Sequence, residues 1–326
     1  IIIIFFILLN SNNTHANENF EEWKINFYKY AISQGVSKNT LSIIIKDLKF
    51  LPKVIEYDRY QPEFYEDTYT YISKRTSNEK LKKGKNLFKA NHSFILKIES
   101  DFNVEKELLL ALMGIETNFG NYLGKMDILS SLATLSFDER RSEFFTNELI
   151  IILKLIDKGV VDSDKLFGSW AGAFGNFQFM PSTIKNYAID YNNDKSINLK
   201  SIEDSFASAA NYINKLGWNK NSPCYYKINL NDNIPAKLLN TSAKKIKNKK
   251  KLKYLKNYIV NFEKLYLDEN LIAGIITPDR DIVENSKLLE PAYLVFDNYE
   301  LILKWNRSLR FALAVCTLKD KFKNEL

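Results

Sequence analysis

The stretch that most constrains this chain is Leu108 to Gly120, LLLALMGIETNFG, an apolar run closed by one carboxylate, Glu116. Leu108, Leu109, Leu112 and Ile115 fall at helical spacing, and Leu110, Ala111 and Met113 fill the remaining faces. A helix apolar all round belongs in the interior. Thr117, Asn118 and Gly120 carry stop chemistry, which places Glu116 in the last turn, at the negative end of the helix dipole. Desolvation and the helix terminus both disfavour a negative charge there. Glu116 is therefore expected to hold its proton to higher pH than a free glutamate and to serve as a general acid. The plainer alternative is a half-exposed glutamate that ends a core helix.

The 326 residues, 45% hydrophobic and 13% aromatic, suffice for one large core or two smaller ones. A net charge of +7 favours an acidic partner: nucleic acid, an anionic membrane surface or an anionic cell-wall polymer. Cys224 and Cys316 form no CxxC pair and have no metal-ligand spacing; one disulfide and two buried thiols both fit. The only histidines, His15 and His92, leave a histidine triad or zinc site without material. The opening IIIIFFILL is too short to span a bilayer and fits the apolar core of an export signal, with Thr14-His15-Ala16 as the cleavage site. A disordered or strand-forming start is the alternative. No cysteine follows the apolar run to support lipid anchoring.

From Phe20 the pattern is helical. Trp23, Phe27, Tyr30 and Ala31, then Leu41, Ile44, Ile45 and Leu48, predict two amphipathic segments parted by Gly35-Val36-Ser37. VIEYDRYQPEF, residues 54–64, reads as an extended connector because of Pro62 and its polar neighbours. Tyr69 to Leu81 and Leu87 to Ile98 predict further helices. The segment GSWAGAFGNFQFMPST, residues 168–183, interleaves three glycines with Trp170, Phe174 and Phe177, which implies close backbone approach to a packed partner or a ligand. It lacks the Lys-Ser/Thr ending and preceding strand of a phosphate loop. Ser169 and Gln178 in an aromatic, glycine-rich wall suit a saccharide; turn-forming residues with no ligand are the alternative.

GIETNFGNYLGK, LATLSFDERRSEFF, GSWAGAFGNFQFMPS and ANYINKLGW, in this order, resemble the membrane-bound lytic murein transglycosylase B family. VIEYDRYQPEF matches upstream and FDNYELILKWNRS near the C-terminus. The resemblance implies a mainly α (α+β) fold: a lysozyme-like helical core, an additional N-terminal helical domain and a small β-rich insertion. With the residue patterns it suggests a leader at 1–16, a helical domain at 17–100, the core at 101–218, the β-rich insertion at 219–290 and a helical segment completing the core at 291–326. It also implies cleavage of the MurNAc to GlcNAc β-1,4 bond of peptidoglycan in a Gram-negative-type periplasm. Glu116 matches the family's catalytic acid, Ser169, Gln178 and Tyr212 match residues lining its glycan cleft, and Tyr299 matches a C-terminal cleft aromatic.

No second carboxylate belongs to the Glu116 motif; Asp127, Asp138 and Glu139 are the nearest downstream acids. The family's chemistry needs only one, with the substrate acetamido group supporting the anomeric centre and Glu116 acting as acid and then as base. The product end is a 1,6-anhydro-MurNAc, and no cofactor is required. The alternatives are a hydrolytic muramidase, which ordinarily needs a second acid, and a non-catalytic binder of cell-wall glycan. The expected partner is the glycan strand, with no nucleic acid, no stable membrane insertion and a monomeric chain.

In DYNNDKSINLKSIEDS, residues 190–205, Asp190, Asn192 and Asp194 take the first, third and fifth places of a calcium loop, and Ile197 the apolar eighth. Lys195 stands where such loops have glycine, and Ser201 where they have glutamate. The resemblance implies a late acid at Asp204, giving Asp190, Asn192, Asp194, Ser196 through its carbonyl, and Asp204 as ligands of a structural Ca2+. A metal-free Asp/Asn-rich turn is the alternative. After Trp218, Tyr225, Tyr226 and Ile228 alternate with polar residues, and Ala273 to Ile276 predicts a short strand. Between them, Lys244 to Lys256 holds eight lysines, read either as a contact for an anionic polymer or as a solvated face. Tyr299 to Leu318 predicts closing helices.

Overall fold

The computed structural model describes residues 2–61, 65–280 and 289–326, with side chains in the first helix from Glu18 onward. In chain order the helices are α1 (Ile2–Ser33), α2 (Lys38–Ile44), α3 (Pro52–Arg59), α4 (Thr68–Arg75), α5 (Asn78–Ala90), α6 (His92–Phe102) and α7 (Lys106–Thr117). A short strand β1 (Met126–Asp127), α8 (Ile128–Phe137), α9 (Ser142–Asp157), β2 (Phe167–Gly168), α10 (Pro181–Tyr187) and α11 (Ile202–Leu216) follow. The chain then lays down β3 (Tyr225–Ile228), β4 (Leu239–Asn240), β5 (Lys250–Lys251), α12 (Leu252–Leu255), β6 (Ile272–Ile276), β7 (Ala292–Val295), α13 (Asp297–Trp305) and α14 (Leu309–Lys323). The mainly α expectation with a small β region holds. Two compact units result, one from residues 1–60 and 122–205, the other from 61–121 and 206–326.

In the first unit α8 packs on α9, α3 on α8, and α10 and α2 on α9. Phe137 meets Phe20 and Phe50 edge to face at 5.6 Å, Phe20 and Phe50 lie tilted at 5.4 Å, and Trp23 stacks on Phe20. The break at Gly35 to Ser37 is as expected: Ser37 caps α2 by accepting the Thr40 N–H. The 54–64 connector is corrected. Residues 54–59 are helical in α3, which starts on Pro52 in its first turn, while Pro62 to Phe64 lie outside the described residues. Pro62 restrains only its immediate predecessor, and α3 is held by its buried Asp58, which accepts Arg140 Nε at 2.8 Å and also pairs with Arg141.

In the second unit α7 packs on α14 and α5, and α14 also packs on α4 and α13. The helix expected from Tyr69 to Leu81 is divided at Thr76-Ser77, where Ser77 accepts the Lys80 N–H and starts α5. That from Leu87 to Ile98 is divided at Asn91. Strands run in the order β3-β7-β6-β4, with β5 also on β6; β4 is parallel to β6 and the other pairings are antiparallel. Ile228, Ala273, Ile275 and Leu294 of this sheet share a buried cluster with Leu252 of α12. A buried ion pair, Arg310 to Asp279 at 2.8 Å, fixes α14, and Asp279 also accepts the Thr68 N–H that begins α4. Cys224 and Cys316 are joined as a disulfide between the residue preceding β3 and α14, with Cα atoms 6.1 Å apart.

Candidate active site

The helix α7 has the expected character. Leu108 to Met113 are all at most 1% exposed, and Glu116 lies in the last turn, half-buried. The helix stops at Asn118, in the left-handed conformation with φ 50°; its N–H reaches the Gly114 carbonyl, and the Phe119 N–H reaches that of Met113. Phe119 and Gly120 continue with positive φ, 61° and 77°. Three successive left-handed residues cost energy at the two non-glycines, and the Phe119 ring supplies the compensation. It lies so close to Gly114 and Gly84 that a Cβ on either would meet its Cζ at 2.7 and 2.9 Å. The two small residues make the slot that anchors this turn, and the turn fixes where Glu116 sits. From α5, Lys80 Nζ binds the Gly114 carbonyl, so a cation meets the negative end of α7.

Glu116 is met by Trp305, the last residue of α13, whose Nε1 donates to Oε1 at 2.9 Å. Tyr212, on α11, stacks on this indole with centroids 5.1 Å apart and planes 25° from parallel. The Tyr212 ring is 9% exposed, and its hydroxyl donates to the Lys304 carbonyl at 3.3 Å. The structure thus brings together Glu116 and Tyr212 of the expected residues, and adds Trp305. Tyr299 is a correction: it is fully buried, its hydroxyl donates to the Leu309 carbonyl at 2.7 Å, and burial holds its phenol far above the ordinary range. It packs inside the fold and presents nothing to a cleft. Trp305 is the aromatic of that same FDNYELILKWNRS segment that reaches the carboxylate; the tryptophan six residues on was the available signal.

Ser169 and Gln178 lie in the other unit, on the glycine-rich segment after β2. Ser169 Oγ accepts the Ala173 N–H at 3.0 Å, and Phe174 and Phe179 exchange backbone hydrogen bonds to close a tight loop. Gln178, at φ 48°, donates Nε2 to the Gly175 carbonyl at 2.9 Å and the Leu123 carbonyl at 3.3 Å. Both side chains are half-buried. Gly175 needs its positive φ of 80° and its missing Cβ, which would lie 2.6 Å from Leu199 Cβ. This contact explains the glycine spacing read in the sequence as close backbone approach.

The loop from Asp190 has the turn a calcium loop requires: Lys195 adopts φ 71° in the glycine position. Asp190 accepts the Asp194 and Lys195 N–H groups, Asn192 that of Asp194, and Asp194 that of Ser196. Asp204 is fully buried and accepts the Tyr191 and Asn198 N–H groups at 2.9 and 2.8 Å. Among the described residues no three His, Cys, Asp or Glu side chains converge as a metal cluster. Lys195 thus takes the left-handed turn of such a loop, while the carboxylates are turned onto loop amides. In the lysine tract, Lys249 pairs with Asp297 and Glu300, and Lys256 with Glu269; Lys244, Lys245, Lys247, Lys250, Lys251 and Lys253 are exposed.

A model of the transglycosylase SLT domain family matches residues 19–320. Over 120 residues, 36% of this chain, the sequence is 43% identical to membrane-bound lytic murein transglycosylase B of Escherichia coli (strain K12); the match spans 33% of that protein's length. The fold aligns with SltB3 from Pseudomonas aeruginosa in complex with NAG-anhNAM-pentapeptide, with TM-score 0.80 and 29% identity over 93% of this chain and 79% of that one. It also aligns with the Escherichia coli lytic transglycosylase Slt35 in complex with calcium, with TM-score 0.75 and 25% identity over 95% of this chain and 94% of that one.

Proposed function

The chain belongs to the transglycosylase SLT domain family, and on that premise we propose that it is a lytic murein transglycosylase that cuts the MurNAc to GlcNAc bond of peptidoglycan without water. The observation that carries the reading is the carboxylate of Glu116, set in the last turn of a buried helix and met by the Trp305 indole. Two of the three acids that follow it in sequence have structural work. Asp127 caps α8 by accepting the Ser130 N–H at 2.7 Å, and Asp138 pairs with Arg59 at 2.9 Å. That supports one-carboxylate chemistry over the two-carboxylate scheme.

In the proposed reaction Glu116 donates its proton to the glycosidic oxygen as the C1–O bond breaks, and the substrate acetamido oxygen supports the anomeric carbon. The ionised Glu116 then takes the 6-hydroxyl proton as that oxygen bonds to C1, closing the 1,6-anhydro ring. Ser169 and Gln178 are proposed as glycan contacts: the Ser169 hydroxyl proton and Gln178 Oε1 remain to serve sugar hydroxyls and amides. Tyr212 acts as the ring beneath Trp305. The deciding experiment is mass analysis of soluble products from purified peptidoglycan, with native protein and with Glu116→Gln. Anhydro ends absent with the variant support the reading; reducing ends indicate a hydrolase, and retention on the wall without products indicates a binder.

We propose the periplasm as the site of action, with residues 1–16 as the export leader. The Cys224–Cys316 disulfide supports an oxidising compartment. No described helix is long and apolar enough to cross a membrane. The reaction itself requires no cofactor. A structural Ca2+ held by Asp190, Asn192, Asp194, the Ser196 carbonyl and Asp204 is proposed on the left-handed turn at Lys195; binding would require the carboxylates to turn from the loop amides they now accept. Calorimetric titration of metal-stripped protein with Ca2+ tests it: heat and a raised Tm are expected, and the absence of both rules the ion out.

A further inference from the structure

We propose that Trp305 is a positioning residue that fixes which oxygen of Glu116 carries the catalytic proton; the proposal rests on Glu116 being the acid of the reaction above. The indole Nε1 lies 2.9 Å from Oε1, and an indole N–H can only donate. Oε1 is therefore an acceptor in both ionisation states. A neutral carboxyl accepts best at its carbonyl oxygen, so the protonated form keeps its O–H on Oε2. The indole is held for this purpose: Tyr212 stacks on it at 5.1 Å, and the Tyr212 hydroxyl is tied to the Lys304 carbonyl, one residue before Trp305.

Both proton transfers then run through one atom. Oε2–H gives its proton to the glycosidic oxygen, which takes the electron pair of the breaking C1–O bond. Oε2 next accepts the 6-hydroxyl proton as the new O6–C1 bond forms, returning the enzyme to its starting state. Oε1 keeps the indole hydrogen bond throughout, and that bond is stronger while the carboxylate is ionised. Trp305 thereby steadies the state between the two transfers without touching the proton.

The test is the indole N–H cross-peak of Trp305 followed by NMR against pH. The chain has 4 tryptophans, so the peak is assigned by its loss in Trp305→Phe. In native protein it is expected to move through one titration, and in Glu116→Gln, which keeps an acceptor at Oε1, to stay still. The other described charges beside α7 persist in that variant. Lys80 sits on the Gly114 carbonyl, and Glu105, Lys106, Glu107 and Lys319 gather at the opposite end. Tyr212, the titratable ring on the indole, also persists.

Kinetically, Trp305→Phe should lower kcat about tenfold to a hundredfold, the range for losing a hydrogen bond to a charged group, with KM changed much less. Its alkaline limb in the kcat profile should move to higher pH, because the carboxylate has lost a donor that favours it. Trp305→Tyr, which restores a donor on the ring, should recover part of kcat. An indole peak that ignores pH in an active native enzyme overturns the proposal while Glu116 keeps its role; so does a Trp305→Phe enzyme with native kcat and pH limb. A titrating peak with full activity in Glu116→Gln overturns it too, and takes the proposed function with it.

Discussion

Asn176 donates its side-chain amide to the hydroxyl of Ser205 at 3.0 Å, and the same nitrogen also lies 3.1 and 3.2 Å from the Lys200 and Ser201 carbonyls. Its backbone N–H reaches the Leu199 carbonyl at 2.8 Å. One buried residue of the glycine-rich segment thus ties that segment to the end of the acidic loop and the first turn of α11. Asn176→Ala leaves those acceptors unserved inside the protein and should cost about 1–3 kcal/mol. Asn176→Asp should cost more at neutral pH, since it turns a carboxylate toward carbonyls. Urea denaturation of the three proteins checks the order.

Glu148, 3% exposed, accepts the Ser182 N–H at 2.8 Å in the first turn of α10. Burial pushes its carboxyl above the ordinary value of 4.5, against the smaller opposing pull of the Ser182 hydrogen bonds. A raised carboxyl contributes stability below its unfolded value and loses it as pH rises through the folded one. Glu148→Gln keeps an acceptor for Ser182 and carries no charge. Its stability relative to the native protein should therefore rise as pH increases above the ordinary carboxyl value; equal slopes of Tm against pH in the two proteins would falsify the assignment.

The Cys224–Cys316 bond closes a loop with a sequence separation of 92 residues. Chain-entropy arguments put the stabilisation at about 4–5 kcal/mol for a loop of this length. The double variant Cys224→Ser, Cys316→Ser should unfold at correspondingly lower denaturant and be insensitive to reductant, whereas the native protein should lose stability when reduced. Native melting that does not change on reduction would show that the thiols are unpaired.

Tyr299 and Trp305 should separate cleanly. Tyr299→Phe deletes a buried hydroxyl that serves the Leu309 carbonyl, so about 1–2 kcal/mol of stability should go, with activity per folded molecule unchanged. A fall in kcat matching that of a Trp305 variant would return Tyr299 to the site.

What the sequence determined by itself is what local chemistry controls. The apolar Leu108 to Met113 run and the Asn118 stop place Glu116 in a last turn, because helix burial and left-handed capping are written within a dozen residues. The β3 and β6 strands were legible for the same reason, through the alternation at Tyr225 to Ile228 and the short run at Ala273 to Ile276. Elsewhere the decisive partner is remote. α3 is helical against an extended reading because Asp58 is clamped by Arg140 and Arg141, more than 80 positions on.

The disulfide likewise joins residues whose separation along the chain carries no signal of their distance in space. Tyr299 and Trp305 of FDNYELILKWNRS are six residues apart, about 240° round a helix of 3.6 residues per turn. Only the packing of α13 on α14 decides which of those directions faces inward: Tyr299 turns to the interior and Trp305 to the carboxylate. Sequence names the candidate acid, and the tertiary structure chooses its partner, because helix phase is read against neighbours that the sequence does not place.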